Sequence, residues 1–247
     1  MTENEKIEQG VQKGFSIKLR LSKPLDSLLS GGIEAGALTN FCGPPGSGKT
    51  NICMLAAISA VKSGKKVIYI DTEGGFSFER FSQLAGESTD KILNEIMFLE
   101  PRNFKEQEEA IRKCKSFVAK GDFGLVVLDS SVALYRLEYA ETDDVMKANK
   151  TLGIHLSMLS AIARDFKIPV IITTHVFKKN DSELLDVIGG DAMKYWCKSI
   201  ILIEKNGGMG ERSATIVKHR AMPEGKSVNF LMTESGIEPV EKKFGIF

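Results

Sequence analysis

Short apolar runs alternate with longer amphipathic segments along most of the chain. Six apolar runs have the length and composition of buried strands: 37–42, 66–71, 95–100, 125–129, 169–175 and 199–204. Helical spacing of apolar residues predicts helices between them, over 49–61, 76–85, 104–119 and 144–166. Buried strands that alternate with helices are typical of a parallel sheet covered on both faces. The pattern therefore predicts an α/β fold with a mostly parallel, twisted sheet flanked by helices.

The pattern changes after residue 203, where turn-forming glycines interrupt the apolar runs. NGGMGE (206–211) separates SIILIE from RSATIVKH, and SVNFLM and GIEPV follow around further turns. Short strands joined by turns pair antiparallel, so we expect antiparallel strands at the C-terminal end of the sheet. The first 20 residues are polar and weakly periodic. We therefore expect residues 1–20 to form a tail or short extension and residues 21–247 to form one domain.

Composition narrows the class of protein without identifying it. The 247 residues are 43% hydrophobic and 26% charged, which suffices for a core and excludes a disordered chain. No uncharged apolar run reaches the roughly 18 residues that a membrane span needs, and the chain start has no apolar signal core. The four cysteines form no CxxC pair, so neither a zinc ribbon nor a disulfide framework is indicated. These features predict a cytoplasmic protein without a membrane segment.

The charge balance limits how the chain could contact nucleic acid. Its 33 basic residues oppose 32 acidic ones, which leaves a net charge of +1. Proteins that bind nucleic acid mainly through bulk electrostatics usually have a strongly basic domain. Any DNA contact must therefore come from local basic loops, and we expect its affinity to be modest and to depend on salt.

The segment GPPGSGKT, residues 43–50, matches the phosphate-binding pattern GxxxxGK[ST] without a gap. Its glycines let backbone N–H groups approach a phosphate, and the predicted helix that follows directs the positive end of its dipole toward the same anion. Lys49 supplies a charge for the β- and γ-phosphates, and the Thr50 hydroxyl is a hard ligand for Mg²⁺. The predicted nucleotide contacts are Gly43, Pro44, Pro45, Gly46, Ser47, Gly48, Lys49 and Thr50.

Two carboxylates at predicted strand ends complete a nucleoside triphosphate site. Asp129 closes LVVLD at the carboxyl end of its strand, where open α/β sheets bind ligands, and we assign it to Mg²⁺ through water. Glu73 follows KVIYID in a glycine-containing turn, and we expect it to orient the water that attacks the γ-phosphate. The structural alternatives are a ligand-free glycine turn at 43–50, a turn or N-cap role for Asp129, and helix capping by Glu73.

The ordered set of motifs resembles the ATPase core of RecA-type recombinases. Besides GPPGSGKT, the resemblance rests on YIDTEGGFSFERF (69–81), LVVLDS (125–130), IITTH (171–175) and IGGDAMKYWCKSIILIEK (188–205). It spans about residues 20–240. The segment KHRAMPEG (218–225) and the following SVNFLMTESGI are most similar to the archaeal RadB family, paralogues of the main recombinase. The resemblance implies a RecA-like P-loop NTPase fold that binds ATP and Mg²⁺.

The resemblance also assigns roles to single residues. It implies that Glu73 is the catalytic glutamate and that Arg80 lies over the adenine ring. His175 stands where these recombinases usually carry a glutamine that senses the γ-phosphate, and it completes the predicted catalytic set with Lys49 and Glu73. A histidine also donates a hydrogen bond, but its donor capacity changes with protonation near neutral pH. The alternative is a structural histidine at a strand end.

Two segments correspond to the DNA-facing loops of these recombinases, 131–144 and 176–190. The first carries four acidic residues against one basic residue, Arg136, and the second offers Lys178 and Lys179 against several acidic residues. We therefore expect weaker DNA binding than in a true recombinase. The better basic patch is the cluster Lys218, His219 and Arg220. Two alternatives stay open for this patch: a basic finger that reaches the γ-phosphate of a neighbouring subunit, and the solvated end of an edge strand.

Three functions from different classes fit these observations. The first is an accessory recombination ATPase with very weak turnover, little stimulated by DNA, and no strand exchange, because the sequence has neither the N-terminal DNA-binding domain nor the FxxA motif of filament-forming relatives. The second is a non-catalytic module gated by ATP. The third, a P-loop small-molecule kinase, would need an Arg-rich lid that is missing from this sequence. We favour the first, whose implied partners are single-stranded or branched DNA, an archaeal RadA-type recombinase and a Holliday junction resolvase, with a homodimer left open.

Overall fold

In the part of the chain that the structure describes, a sheet of nine strands forms the centre. The computed structural model describes residues 17–141, 145–178 and 185–240. Its strands are β1 (Lys18–Leu19), β2 (Ile33–Glu34), β3 (Leu38–Cys42), β4 (Lys66–Asp71), β5 (Ile96–Leu99), β6 (Phe123–Asp129), β7 (Val170–Thr174), β8 (Val176–Lys178), β9 (Leu185–Val187), β10 (Ser199–Lys205), β11 (Glu211–His219), β12 (Ser227–Thr233) and β13 (Gly236–Pro239). Its helices are α1 (Lys23–Leu28), α2 (Lys49–Lys62), α3 (Phe78–Ala85), α4 (Thr89–Leu93), α5 (Phe104–Lys120), α6 (Ala133–Glu141), α7 (Val145–Phe166) and α8 (Gly190–Trp196).

The strand order of the sheet is β13-β12-β11-β10-β3-β7-β6-β4-β5. The strands from β10 to β5 run parallel, because helices connect them across the faces of the sheet. Beyond β10, the strands β11 to β13 pair antiparallel through short turns. The predicted fold class is therefore confirmed, including the antiparallel strands at the C-terminal end.

Two hydrophobic clusters fill the space between the sheet and its helices. On one face α2 packs against strand residues such as Phe41 and Tyr69, which are fully buried. On the other face α5 and α7 pack against residues such as Val126 and Ile172. In the described part of the chain, no helix is long and apolar enough to cross a membrane. Because both faces are covered, a ligand reaches the sheet at the ends of its strands.

Several short elements lie where the sequence predicted loops. The helix α6 occupies most of 131–144, where the acidic residues of the sequence concealed a buried face formed by Leu134 and Tyr135. The strands β8 and β9 pair antiparallel within 176–190, and Val187 is buried there. The helices α1 and α8 have six and seven residues, too few for a helical period to be visible in the sequence.

The described part of the predicted N-terminal extension packs on the domain. The strand β1 pairs antiparallel with β2. Residues 1–16 lie outside the described residues, as do 142–144, 179–184 and 241–247. The boundary at residue 20 therefore stays a prediction.

All four cysteines are buried free thiols. Burial raises the pKa of Cys42, Cys114 and Cys197 to about 12, and it raises the pKa of Cys53 well above its usual range. A thiol with so high a pKa stays protonated at neutral pH, and protonated thiols are poor nucleophiles and poor metal ligands. These cysteines therefore serve as small apolar side chains of the core.

A buried polar contact joins α5 to α7. His155 on α7 has no exposed surface, and its Nδ1 lies 3.1 Å from Nε2 of Gln107. Its Nε2 lies 3.5 Å from a carboxylate oxygen of Glu108. Burial lowers the pKa of His155 to about 4, although the Glu108 carboxylate acts in the opposite direction. His155 is therefore neutral in the folded protein at neutral pH.

We expect acid to destabilise the fold through His155. As the pH falls below 6.5, the usual pKa of histidine, the unfolded chain binds a proton that the folded chain does not bind until about pH 4. The His155 contribution to the free energy of unfolding is thus intact above pH 6.5 and decreases by about 2 kcal/mol at pH 5. Urea unfolding at pH 7 and pH 5 measures this change, and His155→Gln should lose most of it. Equal pH dependence in both proteins would contradict the prediction.

Candidate nucleotide-binding site

The predicted site residues converge at one edge of the sheet. The strands β3, β7, β6 and β4 are neighbours, and their carboxyl ends lead to residues 43–50, His175, Ser130 and Glu73. Because parallel strands end at the same edge, these segments meet although they lie far apart in the sequence. A cavity of about 250 Å³ lies between them, lined by Pro45, Gly46, Gly48, Lys49, Thr50, Asn51, Glu73, Asp129 and His175.

Two glycines of the phosphate loop are required by their surroundings. A Cβ on Gly43 would clash with the main-chain oxygen of Ile203 on β10. Gly48 has a φ of +105°, a backbone conformation that residues with a side chain rarely adopt, and a Cβ there would also displace the flexible methyl end of Met232. Both positions therefore need a residue without a side chain. The helix α2 begins at Lys49 with no side-chain cap, which leaves its first N–H groups for an anion.

The Lys49 ammonium lies against its own loop. Its Nζ donates hydrogen bonds to the main-chain oxygens of Gly43 at 2.9 Å and Pro44 at 3.0 Å. Burial lowers the pKa of Lys49, while the carboxylates of Asp129 and Glu73 act in the opposite direction. A phosphate would offer this ammonium a charged acceptor, which binds more strongly than a neutral carbonyl.

Asp129 is buried at the end of β6 and is held by three side chains. Its Oδ1 accepts from the Thr173 hydroxyl, its Oδ2 accepts from the Tyr69 hydroxyl at 3.0 Å, and the Thr50 hydroxyl also donates to it. Burial raises the pKa of Asp129, while these hydrogen bonds lower it. Its partners are side chains rather than the N–H groups of a turn, which argues against the turn or N-cap alternative.

The donor set beside Asp129 suits a magnesium ion that is shared with phosphates. A carboxylate next to the Thr50 hydroxyl provides two hard oxygen ligands. Among the described residues, no group of three or more His, Cys, Asp or Glu side chains could hold a metal ion by itself. Mg²⁺ usually keeps several waters and takes one or two protein ligands together with substrate phosphates. The residues therefore fit Mg²⁺ bound with a triphosphate.

Asp71 organises the turn that carries Glu73, a role that was not assigned from the sequence. Its Oδ1 accepts from the N–H groups of Glu73 at 3.1 Å and Gly75 at 3.2 Å, and its Oδ2 accepts from Phe76 N–H at 2.9 Å. Three hydrogen bonds to one buried carboxylate stabilise this conformation of the turn. The sequence DTEGG contains the signal, an aspartate followed closely by two glycines.

Glu73 is held by residues from neighbouring strand ends. Its Oε1 accepts from the Ser130 hydroxyl at 2.6 Å and lies 3.3 Å from Nε2 of His175. The contact with His175, followed by the bond from Ser130, lowers the pKa of Glu73 to about 2. The N-cap of α3 is Ser77, whose side chain accepts from Arg80 N–H. The alternative in which Glu73 caps this helix is therefore wrong.

Arg80 lies beside the beginning of α2. Its Nε donates to the side-chain oxygen of Asn51 at 2.8 Å. Its terminal nitrogens donate to the main-chain oxygens of Thr233 at 2.6 Å and Glu234 at 2.9 Å. Asn51 follows the predicted metal ligand Thr50 and lines the same cavity, so Arg80 is close to the candidate nucleotide site. Its stacking on adenine stays a prediction.

The basic residues at the end of β11 are engaged within the chain. Lys218 Nζ donates to two main-chain oxygens at the C-terminal end of α8, one of them Cys197 at 3.0 Å. Arg220 Nε donates to a carboxylate oxygen of the buried Glu34 at 2.7 Å. Burial lowers the pKa of His219 between them. A role on DNA or on a neighbouring ATP site would require these contacts to open, and it stays a prediction.

The two segments predicted to face DNA border a second cavity of about 750 Å³. Arg136 contributes a positive charge to its lining. The aromatic side chains that line it come from both segments: Tyr135, Tyr139 and Phe177. Lys178 is described only as part of β8, and Lys179 lies outside the described residues. From the sequence, only the charged residues of these segments were weighed, and an aromatic lining was not predicted. The signal was Tyr135 and Tyr139, because residues four apart on a helix lie on the same face.

Comparisons with known proteins match the chain over most of its length. The Rad51 family model matches residues 16–240. The DNA repair and recombination protein RadB of Methanobrevibacter smithii is 41% identical over 225 residues, which cover 89% of this chain and 95% of the relative. The protein of the same name from Methanococcoides burtonii is 42% identical over 215 residues, which cover 87% and 94%. A crystal structure of the RadB recombinase has a TM-score of 0.76 at 38% identity and covers 90% of this chain and 100% of that chain.

Proposed function

The chain belongs to the Rad51 family, and on that premise we propose that it is a recombination accessory protein that binds ATP with Mg²⁺, binds DNA and hydrolyses ATP very slowly. Relatives about 40% identical over most of the chain are DNA repair and recombination proteins, which supports a role in these processes. The observation that carries the proposal is the single cavity shared by Lys49, Thr50, Glu73 and Asp129. Phosphate-binding, metal-binding and water-orienting groups line the same space.

Different residues of the cavity would bind the phosphates, hold the metal ion and orient the attacking water. Lys49 exchanges its two carbonyl partners for phosphate oxygens, and the N–H groups at the start of α2 bind the same phosphates. Thr50 and Asp129 would hold Mg²⁺, which would supply positive charge to neutralise the phosphates. Glu73 orients the attacking water and accepts its proton.

The contacts of Glu73 support slow turnover. A carboxylate with a pKa of about 2 is a weak general base near neutral pH. Ser130 and His175 both contact the same carboxylate oxygen, so an attacking water must compete with them for that oxygen. A His175 side chain that turns toward a γ-phosphate would release one of these contacts.

The same contacts of Glu73 favour a second candidate function. In this function ATP binding changes the conformation of the protein, and the ATP is not hydrolysed. For both candidate functions, we propose an archaeal RadA-type recombinase and a Holliday junction resolvase as protein partners. Phosphate release, measured with and without single-stranded DNA and each partner, distinguishes the two candidates. Slow release that depends on Lys49 supports the ATPase, whereas ATP-dependent partner capture without phosphate release supports the module.

The aromatic cavity supports single-stranded DNA as the nucleic-acid partner. Tyr139 and Phe177 are 44% and 47% exposed, and bases of single strands stack on exposed aromatic side chains. The net charge of +1 leaves little bulk attraction for phosphates. Arg136 lies beside the aromatic side chains and suits a phosphate or a base face. Stacking therefore supplies a larger share of the affinity than charge does.

We expect Tyr139→Ala and Phe177→Ala each to lower the affinity for single-stranded DNA about tenfold, because stacking on one aromatic side chain contributes about 1–3 kcal/mol. The slope of affinity against salt should not change, since no phosphate contact is lost. Fluorescence anisotropy with a labelled oligothymidine at several salt concentrations measures both quantities. Tyr195→Ala is the control, because Tyr195 is 70% exposed and lies outside the cavity lining.

DNA binding at the basic cluster at the end of β11 would give the opposite result in this experiment. If DNA binds there, Lys218→Ala combined with Arg220→Ala flattens the salt slope, and the aromatic variants bind as tightly as the parent. That result would place the DNA interface on the basic cluster and contradict the stacking interface.

A further inference from the structure

The C-terminal strands form an outer wall of the phosphate loop. Antiparallel pairing of β10 with β11 sets Lys205 opposite Arg212, beside residues 43–50. The strands β10 and β12 also place atoms directly against two glycines of the loop. The loop is thus shaped by strands that carry none of the residues predicted to contact the nucleotide.

Arg212 donates hydrogen bonds to the phosphate loop from this wall. Its Nε donates to the main-chain oxygen of Ser47 at 3.1 Å, and its Nη2 lies 3.5 Å from the main-chain oxygen of Gly46. Its Nη1 donates to the main-chain oxygen of Glu211 at 2.8 Å, which braces the side chain against its own strand. The acceptors of these bonds are neutral main-chain carbonyls rather than carboxylates.

The contact between Arg212 and Ser47 fixes the direction of the next N–H group. In a trans peptide group the C=O and the following N–H point in opposite directions. Holding the Ser47 carbonyl toward Arg212 therefore turns the Gly48 N–H away from Arg212. Gly48 lines the cavity described above, and main-chain N–H groups of such a loop are the groups that bind phosphate.

We propose that Arg212 is a positioning residue for phosphate binding, which holds the Ser47–Gly48 peptide group so that its N–H faces the nucleotide. This inference rests on the proposed nucleotide site and adds a residue to it. A guanidinium suits the role because its planar fork makes several hydrogen bonds at fixed angles, whereas a lysine ammonium is a point charge on a flexible stem.

Lys205 provides a matched comparison at the same loop. A Cβ on Gly46 would lie 3.0 Å from Lys205 Nζ, so this exposed ammonium stands beside the loop as a second cation. Its effect on phosphates acts through solvent and is therefore screened by salt. Loss of Lys205 removes charge, while loss of Arg212 removes charge and the fixed orientation of the peptide group.

Calorimetric titration with ATP at low and at physiological salt tests the proposal on the parent protein and on Arg212→Ala, Arg212→Lys and Lys205→Ala. We expect Arg212→Ala to weaken ATP binding about tenfold at both salt concentrations, and Arg212→Lys to weaken it nearly as much. Lys205→Ala should weaken binding about twofold and only at low salt. Thermal unfolding without nucleotide, measured in parallel, separates an effect on ATP from an effect on folding.

Parental ATP affinity in Arg212→Ala would overturn the proposal, even if its thermal midpoint falls. Full affinity in Arg212→Lys would also overturn it, because charge alone would then account for the effect. If Arg212→Ala does not fold, Arg212→Lys and Arg212→Gln decide the question by the same titration, since both keep hydrogen-bond donors. Absence of ATP binding in the parent protein would refute the nucleotide site itself, which is a different result from parental affinity in the variants.

Discussion

Lys49→Ala is expected to lower the affinity for ATP about 100-fold or more and to reduce phosphate release below detection. Lys49 Nζ already lies among the main-chain oxygens of Gly43 and Pro44, so it is placed to follow a phosphate into the loop. Hydrogen bonds to charged groups contribute about 1.5–3 kcal/mol each, and the variant would lose the bonds that we propose Lys49 makes to the β- and γ-phosphates. Each loss of about 1.4 kcal/mol corresponds to a tenfold change in affinity.

The matched control for Lys49→Ala is Lys62→Ala, at the exposed C-terminal end of the same helix. Both variants remove one positive charge from α2, but Lys62 lies outside the cavity lining. Calorimetric titration with ATP in the presence of Mg²⁺ compares the two proteins directly. Parental ATP affinity in Lys49→Ala, or equal losses in the two variants, would remove the phosphate-loop assignment.

Glu73→Gln is expected to lower turnover about 100-fold, the lower end of the range that a positioned general base contributes, because a carboxylate with a pKa of about 2 is a weak base near neutral pH. Glutamine has nearly the same volume and keeps a carbonyl oxygen that accepts from the Ser130 hydroxyl, so the turn held by Asp71 should not change. It cannot accept the proton that we propose Glu73 takes from the attacking water. The affinity for ATP should therefore stay within about twofold of the parent value.

Single-turnover phosphate release with protein in excess over ATP measures the effect of Glu73→Gln on the chemical step. The control is Glu79→Gln, an exposed glutamate in the first turn of α3 that lies outside the cavity lining. Turnover in Glu73→Gln equal to that of the parent would exclude Glu73 as the base. A loss of ATP affinity in proportion to the loss of turnover would instead indicate a binding role.

The parts of the site that depend on local order could be predicted from the sequence. A phosphate loop needs a strand before it and a helix after it, and both are visible in the pattern around residues 43–50. The meeting of Glu73, Asp129 and His175 followed from parallel pairing, because each residue lies just past or at the end of a strand in the same sheet. For these three residues, the residue type and its position at the end of a strand were sufficient to predict that they meet.

The parts that depend on register and long-range pairing could not be predicted. Arg212 reaches the phosphate loop only because β11 pairs with β10 in a register that sets it opposite Lys205, and turn residues alone do not fix that register. The helix α6 was hidden for a related reason. Its buried face depends on packing against α5 and α7, whereas its acidic residues dominate the sequence pattern.

The burial of every native thiol gives this protein a practical property for spectroscopy. Because Cys42, Cys53, Cys114 and Cys197 are enclosed and protonated at neutral pH, a maleimide dye has no accessible native thiolate to modify. One cysteine introduced on an exposed element is then the single labelling position, with the natural cysteines left in place. Fluorescence from that position would follow ligand arrival in a molecule whose core is unaltered.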